Sequence, residues 1–158
     1  MDFDRRRFLR AEFGNGALPL YPPWSGGRQD FEQRCTRCHD CISACPEDIL
    51  RIAETGFPVV DFGLGQCTFC GDCAQICSDK ALDPLANRSS WPYRARVDAN
   101  CLAQRRIMCD SCRDSCPESA IRMQPAVGRP PAPFIDDTTC SGCGACVRSC
   151  PARAIRIL

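Results

Sequence analysis

Only one histidine and one lysine occur in the 158 residues, and no apolar segment approaches the roughly 18 residues that a membrane-crossing helix needs. No membrane span is therefore expected. The lone His39 leaves no Ser-His-Asp arrangement, and there is no phosphate-binding glycine loop and no flavin or nicotinamide fingerprint. The expectation is a protein without its own substrate site, not an enzyme. No nucleic-acid partner is expected either. The scarcity of lysine makes nineteen of the twenty basic residues arginine, Lys80 being the exception. Arginine keeps its charge at any working pH and donates several hydrogen bonds. Arg37, Arg113 and Arg148 stand close to cysteines and are candidates for tuning whatever those cysteines hold, the plainer alternative being solvated loop arginines.

An export signal is present only in part. Asp4-Arg5-Arg6-Arg7-Phe8-Leu9-Arg10 looks like a twin-arginine signal. Such a signal also needs an apolar run of about 7 to 15 residues and a small-residue cleavage site. Here Glu12, Gly14, Asn15, Gly16 and Pro19 interrupt the candidate region, and Pro22 and Pro23 follow it. The expected location is cytoplasmic. Residues 2–13 read as a short amphipathic helix with Phe3, Phe8, Leu9 and Phe13 as contacts. For this arm and for Trp24, docking to a partner and packing on the chain's own first half both stay open.

What the chain has in abundance is cysteine: sixteen, in four groups of four. Cys35, Cys38, Cys41 and Cys45 are spaced C-x2-C-x2-C-x3-C, as are Cys67, Cys70, Cys73 and Cys77, and Cys140, Cys143, Cys146 and Cys150. In the third group Cys109, Cys112 and Cys116 keep the register, while Cys101 stands five residues upstream of the regular position. Three thiolates two residues apart wrap three irons of a cubane, and the fourth cysteine of each motif ligates the other cluster of a pair. Cys35, Cys38 and Cys41 then take Cys77, and Cys67, Cys70 and Cys73 take Cys45. In the second pair Cys101, Cys109 and Cys112 take Cys150, and Cys140, Cys143 and Cys146 take Cys116. The expected cofactors are four 4Fe-4S clusters.

Two rival readings fit the spacing less well. Structural zinc uses two close pairs separated by a dozen or more residues. Disulfides need an oxidising compartment, and neighbouring C-x2-C positions are poorly placed to bridge their own loop. With clusters bound, the formal charge of +1 becomes roughly −7, since each oxidised cube with its thiolates carries about two negative charges. The conventional apolar core is thin, so metal loading and folding are expected to be coupled.

The repetition extends past the cysteines. Cys45-Pro46-Glu47-Asp48-Ile49-Leu50, Cys77-Ser78-Asp79-Lys80-Ala81-Leu82, Cys116-Pro117-Glu118-Ser119-Ala120-Ile121 and Cys150-Pro151-Ala152-Arg153-Ala154-Ile155 are copies of one phrase. Val60-Asp61, Val97-Asp98 and Ile135-Asp136 end extended runs that lead to the next motif. The unit reads as a cysteine loop, a helical turn or two begun at the proline, and a short strand. Pairing is expected as antiparallel hairpins, with 49–53 against 57–61 around Thr55 and Gly56. The run Gly128-Arg129-Pro130-Pro131-Ala132-Pro133 reads as a stiff hairpin connection. His39, inside the first loop, is either a cluster-tuning residue or a solvent-facing one.

Each half resembles a bacterial 2x4Fe-4S ferredoxin, and the whole resembles the NapF family, the ferredoxin-type accessory proteins of the periplasmic nitrate reductase system. The residues that carry the likeness are the four motifs, Tyr21-Pro22-Pro23-Trp24-Ser25, the arginine-rich start, and the stretch from Cys101 to Cys109. Ser78 departs from the proline usual at its place. The resemblance implies an α+β fold of two tandem ferredoxin-like modules, with short antiparallel hairpins and short helices around the clusters. The expected divisions are an arm at 1–27, modules at 28–86 and 90–158, and a polar joint around Asn87, Arg88, Ser89 and Ser90. It also implies a cytoplasmic partner, the immature catalytic subunit of periplasmic nitrate reductase, whose redox maturation or cluster loading the protein would assist. The clusters by themselves suggest a general electron carrier with a redox donor as partner.

Overall fold

The computed structural model describes residues 19–86 and 91–158; the arm helix expected at 2–13 and the joint at 87–90 lie outside them. Among the described residues five helices of one or two turns and six short strands follow one another: α1 Arg28–Arg34, α2 Asp40–Ser43, β1 Leu50–Ile52, β2 Pro58–Val60, α3 Asp72–Gln75, β3 Ala95–Val97, α4 Ser111–Asp114, β4 Ile121–Ala126, β5 Arg129–Ile135, α5 Ala145–Ser149 and β6 Ile155–Ile157. The strands form three two-stranded antiparallel sheets, β1 with β2, β3 with β6, and β4 with β5. Leu50 pairs with Val60 and Ile52 with Pro58, which is the hairpin expected around Thr55 and Gly56.

The helical turns are not where the prolines suggested. Each of α2, α3, α4 and α5 lies ahead of the fourth cysteine of its motif and carries the third: Cys41, Cys73, Cys112 and Cys146. After the fourth cysteine the chain turns instead of winding. The amide of the residue three positions on donates back to that cysteine's carbonyl, as Asp48 does to Cys45, Lys80 to Cys77, Ser119 to Cys116 and Arg153 to Cys150. These four residues hold φ at 50°, 49°, 53° and 48°, a left-handed conformation that no right-handed helix accommodates. Ser78, which replaces proline in the second copy, leaves this turn unchanged.

The apolar-Asp pairs also share one geometry. Val60, Val97 and Ile135 end β2, β3 and β5, and the following aspartates close Asx turns on the amides of Gly63, Asn100 and Thr138, each at 2.8 or 2.9 Å. Each strand thus stops at a defined point and aims the chain at the next cysteine loop.

The prolines of residues 128–133 are not a connection. Pro130, Pro131 and Pro133 belong to β5, and the turn is Val127 with Gly128, whose φ is +72°. Among the described residues β5 hydrogen-bonds to one neighbouring strand, β4, so missing amide donors cost it little.

One hydrophobic cluster runs through both halves of the chain, with Tyr21, Phe31, Phe57, Phe62 and Trp91 as its large members and Cys41, Cys73, Cys112 and Cys146 among its small ones. Tyr21 packs on Phe31 with ring centroids 4.6 Å apart, and Phe31 on Phe57 at 6.0 Å. The Leu20 carbonyl accepts from Val60 and that of Trp24 from Asp83. The segment from Leu20 to Trp24 is therefore a strap laid over the first half, and Trp24 packs on its own chain, 6.4 Å from Phe69.

Candidate metal centres

Four cavities among the described residues are each lined by one cysteine quartet. Cys35, Cys38, Cys41 and Cys77 line one; Cys45, Cys67, Cys70 and Cys73 line the next. In the second half Cys101, Cys109, Cys112 and Cys150 share a cavity, as do Cys116, Cys140, Cys143 and Cys146. Each cavity is lined by three cysteines of one motif and the last cysteine of its neighbour.

The loops have the local geometry a cluster needs. Arg37, Phe69 and Gly142, two residues after a first cysteine, and His39, Gly71 and Gly144, one after a second, all have positive φ. Alternation of such residues with right-handed ones turns successive amides toward one concavity, an anion-binding arrangement. Amides also donate to sulfur: Phe69 to Cys67 at 3.4 Å, Ala120 to Cys116 at 3.3 Å and Ala154 to Cys150 at 3.3 Å. Such donors stabilise thiolates. Ser141 Oγ, buried without a partner among the described residues, belongs to a residue lining the fourth cavity, where the sulfurs of a bound cluster offer the acceptor it lacks.

Burial, with neighbouring cysteines adding to it, pushes the thiols of Cys41, Cys73 and Cys146 up to about 12 and those of Cys67 and Cys112 to about 11. Thiols this enclosed ionise only with countercharge at hand, which iron supplies as the protons leave. Among the described residues no three cysteine, histidine or carboxylate side chains converge closely enough to hold a single ion. Four thiols spread around a cavity suit a cube with an iron at each of four corners better than a lone zinc.

Cys101 joins its quartet by a turn of its own. The amides of Arg105, Arg106 and Ile107 donate to the carbonyls of Cys101, Ala103 and Leu102 at 3.0, 3.2 and 2.9 Å. Arg106, which occupies the regular first-cysteine position, has φ of 67°. Cys101 and Ala103 are buried against Ala154, so the five-residue displacement is absorbed by the loop and the thiol still reaches the cavity.

Several neighbours of the cysteines have other work. His39 is not a free loop residue: its Nε2 lies 2.9 Å from the Gly56 carbonyl and ties the first loop to the β1–β2 turn. Arg37 lies over the Phe57 ring, 4.2 Å from its centroid. Arg113 pairs with Asp110 and Asp114, both at 2.9 Å. Arg148 donates to the Leu64 carbonyl at 3.3 Å. In the second half the Ser115 and Ser149 hydroxyls, 2.7 Å apart, join the turns that precede Cys116 and Cys150.

The 4Fe-4S dicluster domain family matches the chain twice, over residues 34–81 and 105–154. The ferredoxin-type protein NapF of Escherichia coli K12 is 37% identical over 98% of this chain and 94% of its own length. The chain belongs to the NapF family of ferredoxin-type proteins. NapF of Haemophilus influenzae is 38% identical over 96% of this chain and 91% of its own length. The methylamine utilization ferredoxin-type protein MauM of Methylobacillus flagellatus is 32% identical over 95% of this chain and 72% of its own length. Membership makes this an iron-sulfur protein of the electron-transfer or maturation kind, built of two dicluster units with short helices and small antiparallel sheets. The second family match starts after Cys101, which lies outside it. Among the described residues no helix is long and apolar enough to cross a membrane.

Proposed function

We propose that the chain holds four 4Fe-4S clusters on the four quartets and serves as a cytoplasmic accessory factor for periplasmic nitrate reductase, binding its immature catalytic subunit and assisting redox maturation or cluster loading before export. The modules are residues 28–86 and 90–158, preceded by the arm at 1–27. The observation that carries the reading is the similarity to NapF over nearly the whole of both chains. The protein's residues do four things for the clusters. Cysteine thiolates bind the irons, loop amides and the Ser141 hydroxyl donate to sulfur, the aromatic core keeps water from the inner sides, and the strap with Trp24 closes the second quartet's cavity. Bound clusters supply one-electron transfer. The test is deletion of the gene followed by purification of the catalytic subunit. A subunit that is present but inactive or cofactor-poor supports the reading; a mature, fully active one sinks it.

A second reading is a general electron relay between a donor and a reductase. The likeness to MauM, named for methylamine utilization, favours it, because the same architecture then serves more than one pathway. Under this reading the catalytic subunit matures normally in the deletion strain and electron delivery alone fails.

A further inference from the structure

The halves of the chain meet at two cysteine loops. The amide of Cys67, in the second motif, donates to the carbonyl of Cys143, in the fourth, at 2.8 Å. Cys143 is among the neighbours that raise the Cys67 thiol, so the two side chains lie close as well. Around this bond the packing is tight. A Cβ on Gly144 would stand 2.0 to 2.4 Å from three atoms of the Phe62 ring, and Gly144 has φ of +82°. Trp91 packs edge-on against Phe62 at 5.9 Å and Phe69 at 5.5 Å, and its Nε1 donates to the Ser141 carbonyl at 3.1 Å. The first and third motifs take no part in this contact. Each is tied instead to its own partner motif, Cys41 being a neighbour of Cys73 and Cys112 of Cys146.

We infer that the hydrogen bond between Cys67 and Cys143 is the bridge for electrons between the modules, so that the quartets work as one line in the order first, second, fourth, third. Phe62, Trp91 and Gly144 are positioning residues that hold the bridge closed. One electron crosses at a time: the quartet that gives it is oxidised by one equivalent, the quartet that takes it is reduced by one, and no bond or proton moves. Neither the domain matches nor the motif spacing contains this order, which depends on the Phe62 ring lying over a residue without a side chain. The inference rests on the proposal that the quartets hold clusters.

The test is EPR of the full-length, dithionite-reduced holoprotein beside its iron content. Wild type is expected to show spin-spin splitting from three neighbouring pairs, two within modules and one across the junction. In Trp91→Phe, which keeps a ring and removes the bond to Ser141, the junction splitting falls while the within-module splitting and the iron content stay. Phe62→Leu, which keeps apolar bulk beside Gly144 and removes the ring contact to Trp91, lowers it as well. Where one variant does not load, the other is read alone. Iron-replete variants with the wild-type spectrum overturn the bridge, as does an iron-replete wild type that shows within-module splitting alone. Low iron in wild type would instead remove the cluster assignment.

Discussion

Cys101→Ala is the sharpest single perturbation of the site. Cys101 is 9% exposed and lines the third cavity with Cys109, Cys112 and Cys150. The loop that carries it is held by backbone bonds at Arg105, Arg106 and Ile107, none of which uses the thiol, and by Ala103, which is fully buried. Removing one sulfur from this site costs about 1 kcal/mol of packing, at the low end for truncations in a core. The packing loss alone does not unfold the chain, so a change in metal reports on ligation. Three thiolates remain, and the residue in the regular first position is Arg106, which offers no anionic donor. Iron is expected to fall from about sixteen per chain to about fifteen if one corner is vacated, or to about twelve if the cube is lost. A vacated corner leaves a three-iron EPR signal in the oxidised protein. Anaerobic iron analysis with EPR makes the measurement. A variant with about sixteen irons and an unchanged four-cluster spectrum refutes the placement of Cys101 as a ligand.

Other outcomes follow from the packing and the turns. Arg153, exposed and held at φ 48°, is expected to accept glycine with little change, whereas Arg153→Val lowers the anaerobic thermal midpoint by about 3 °C or more, since a β-branched residue adds at least about 1 kcal/mol there; equal midpoints for the two variants would show the turn to be unstrained. Phe31→Ala removes a ring that packs on both Tyr21 and Phe57, costs about 3 to 5 kcal/mol, and should release iron from the first module before the second on heating, which EPR during a thermal ramp follows. Tyr21 is pushed up to about 12 by burial and by its hydrogen bond to Glu32. The folded state thus favours the neutral phenol, so this contribution is present below about pH 10 and is lost as pH rises toward about 12. Wild type is expected to lose more of its thermal midpoint between about pH 9 and about pH 11 than Tyr21→Phe does, and parallel losses would contradict the assignment.

Much of the centre was legible because cysteine spacing encodes loop geometry directly. Counting residues already sorts the cysteines into four groups, and four cysteines line each cavity, Cys101 with Cys109, Cys112 and Cys150. The β1–β2 hairpin was legible for a similar reason, two extended runs around Thr55 and Gly56. The prolines after Cys45, Cys116 and Cys150 misled because proline suits both a first helical turn and a β-turn. The positive φ at Asp48, Lys80, Ser119 and Arg153 decides for the turn, and four unrelated side chains at one position give no compositional sign of it. The junction was hidden for a different reason. Phe62, Trp91 and Gly144 lie far apart in the chain and meet only in the fold; a glycine follows Cys70 as well as Cys143, yet of the two only Gly144 leaves no room for a Cβ.

The central claim is that these quartets bind four cubane clusters. Anaerobic purification followed by iron and acid-labile sulfide analysis tests it most directly. About sixteen irons and about sixteen sulfides per chain are expected, and zinc in place of iron, or about eight irons, would contradict it.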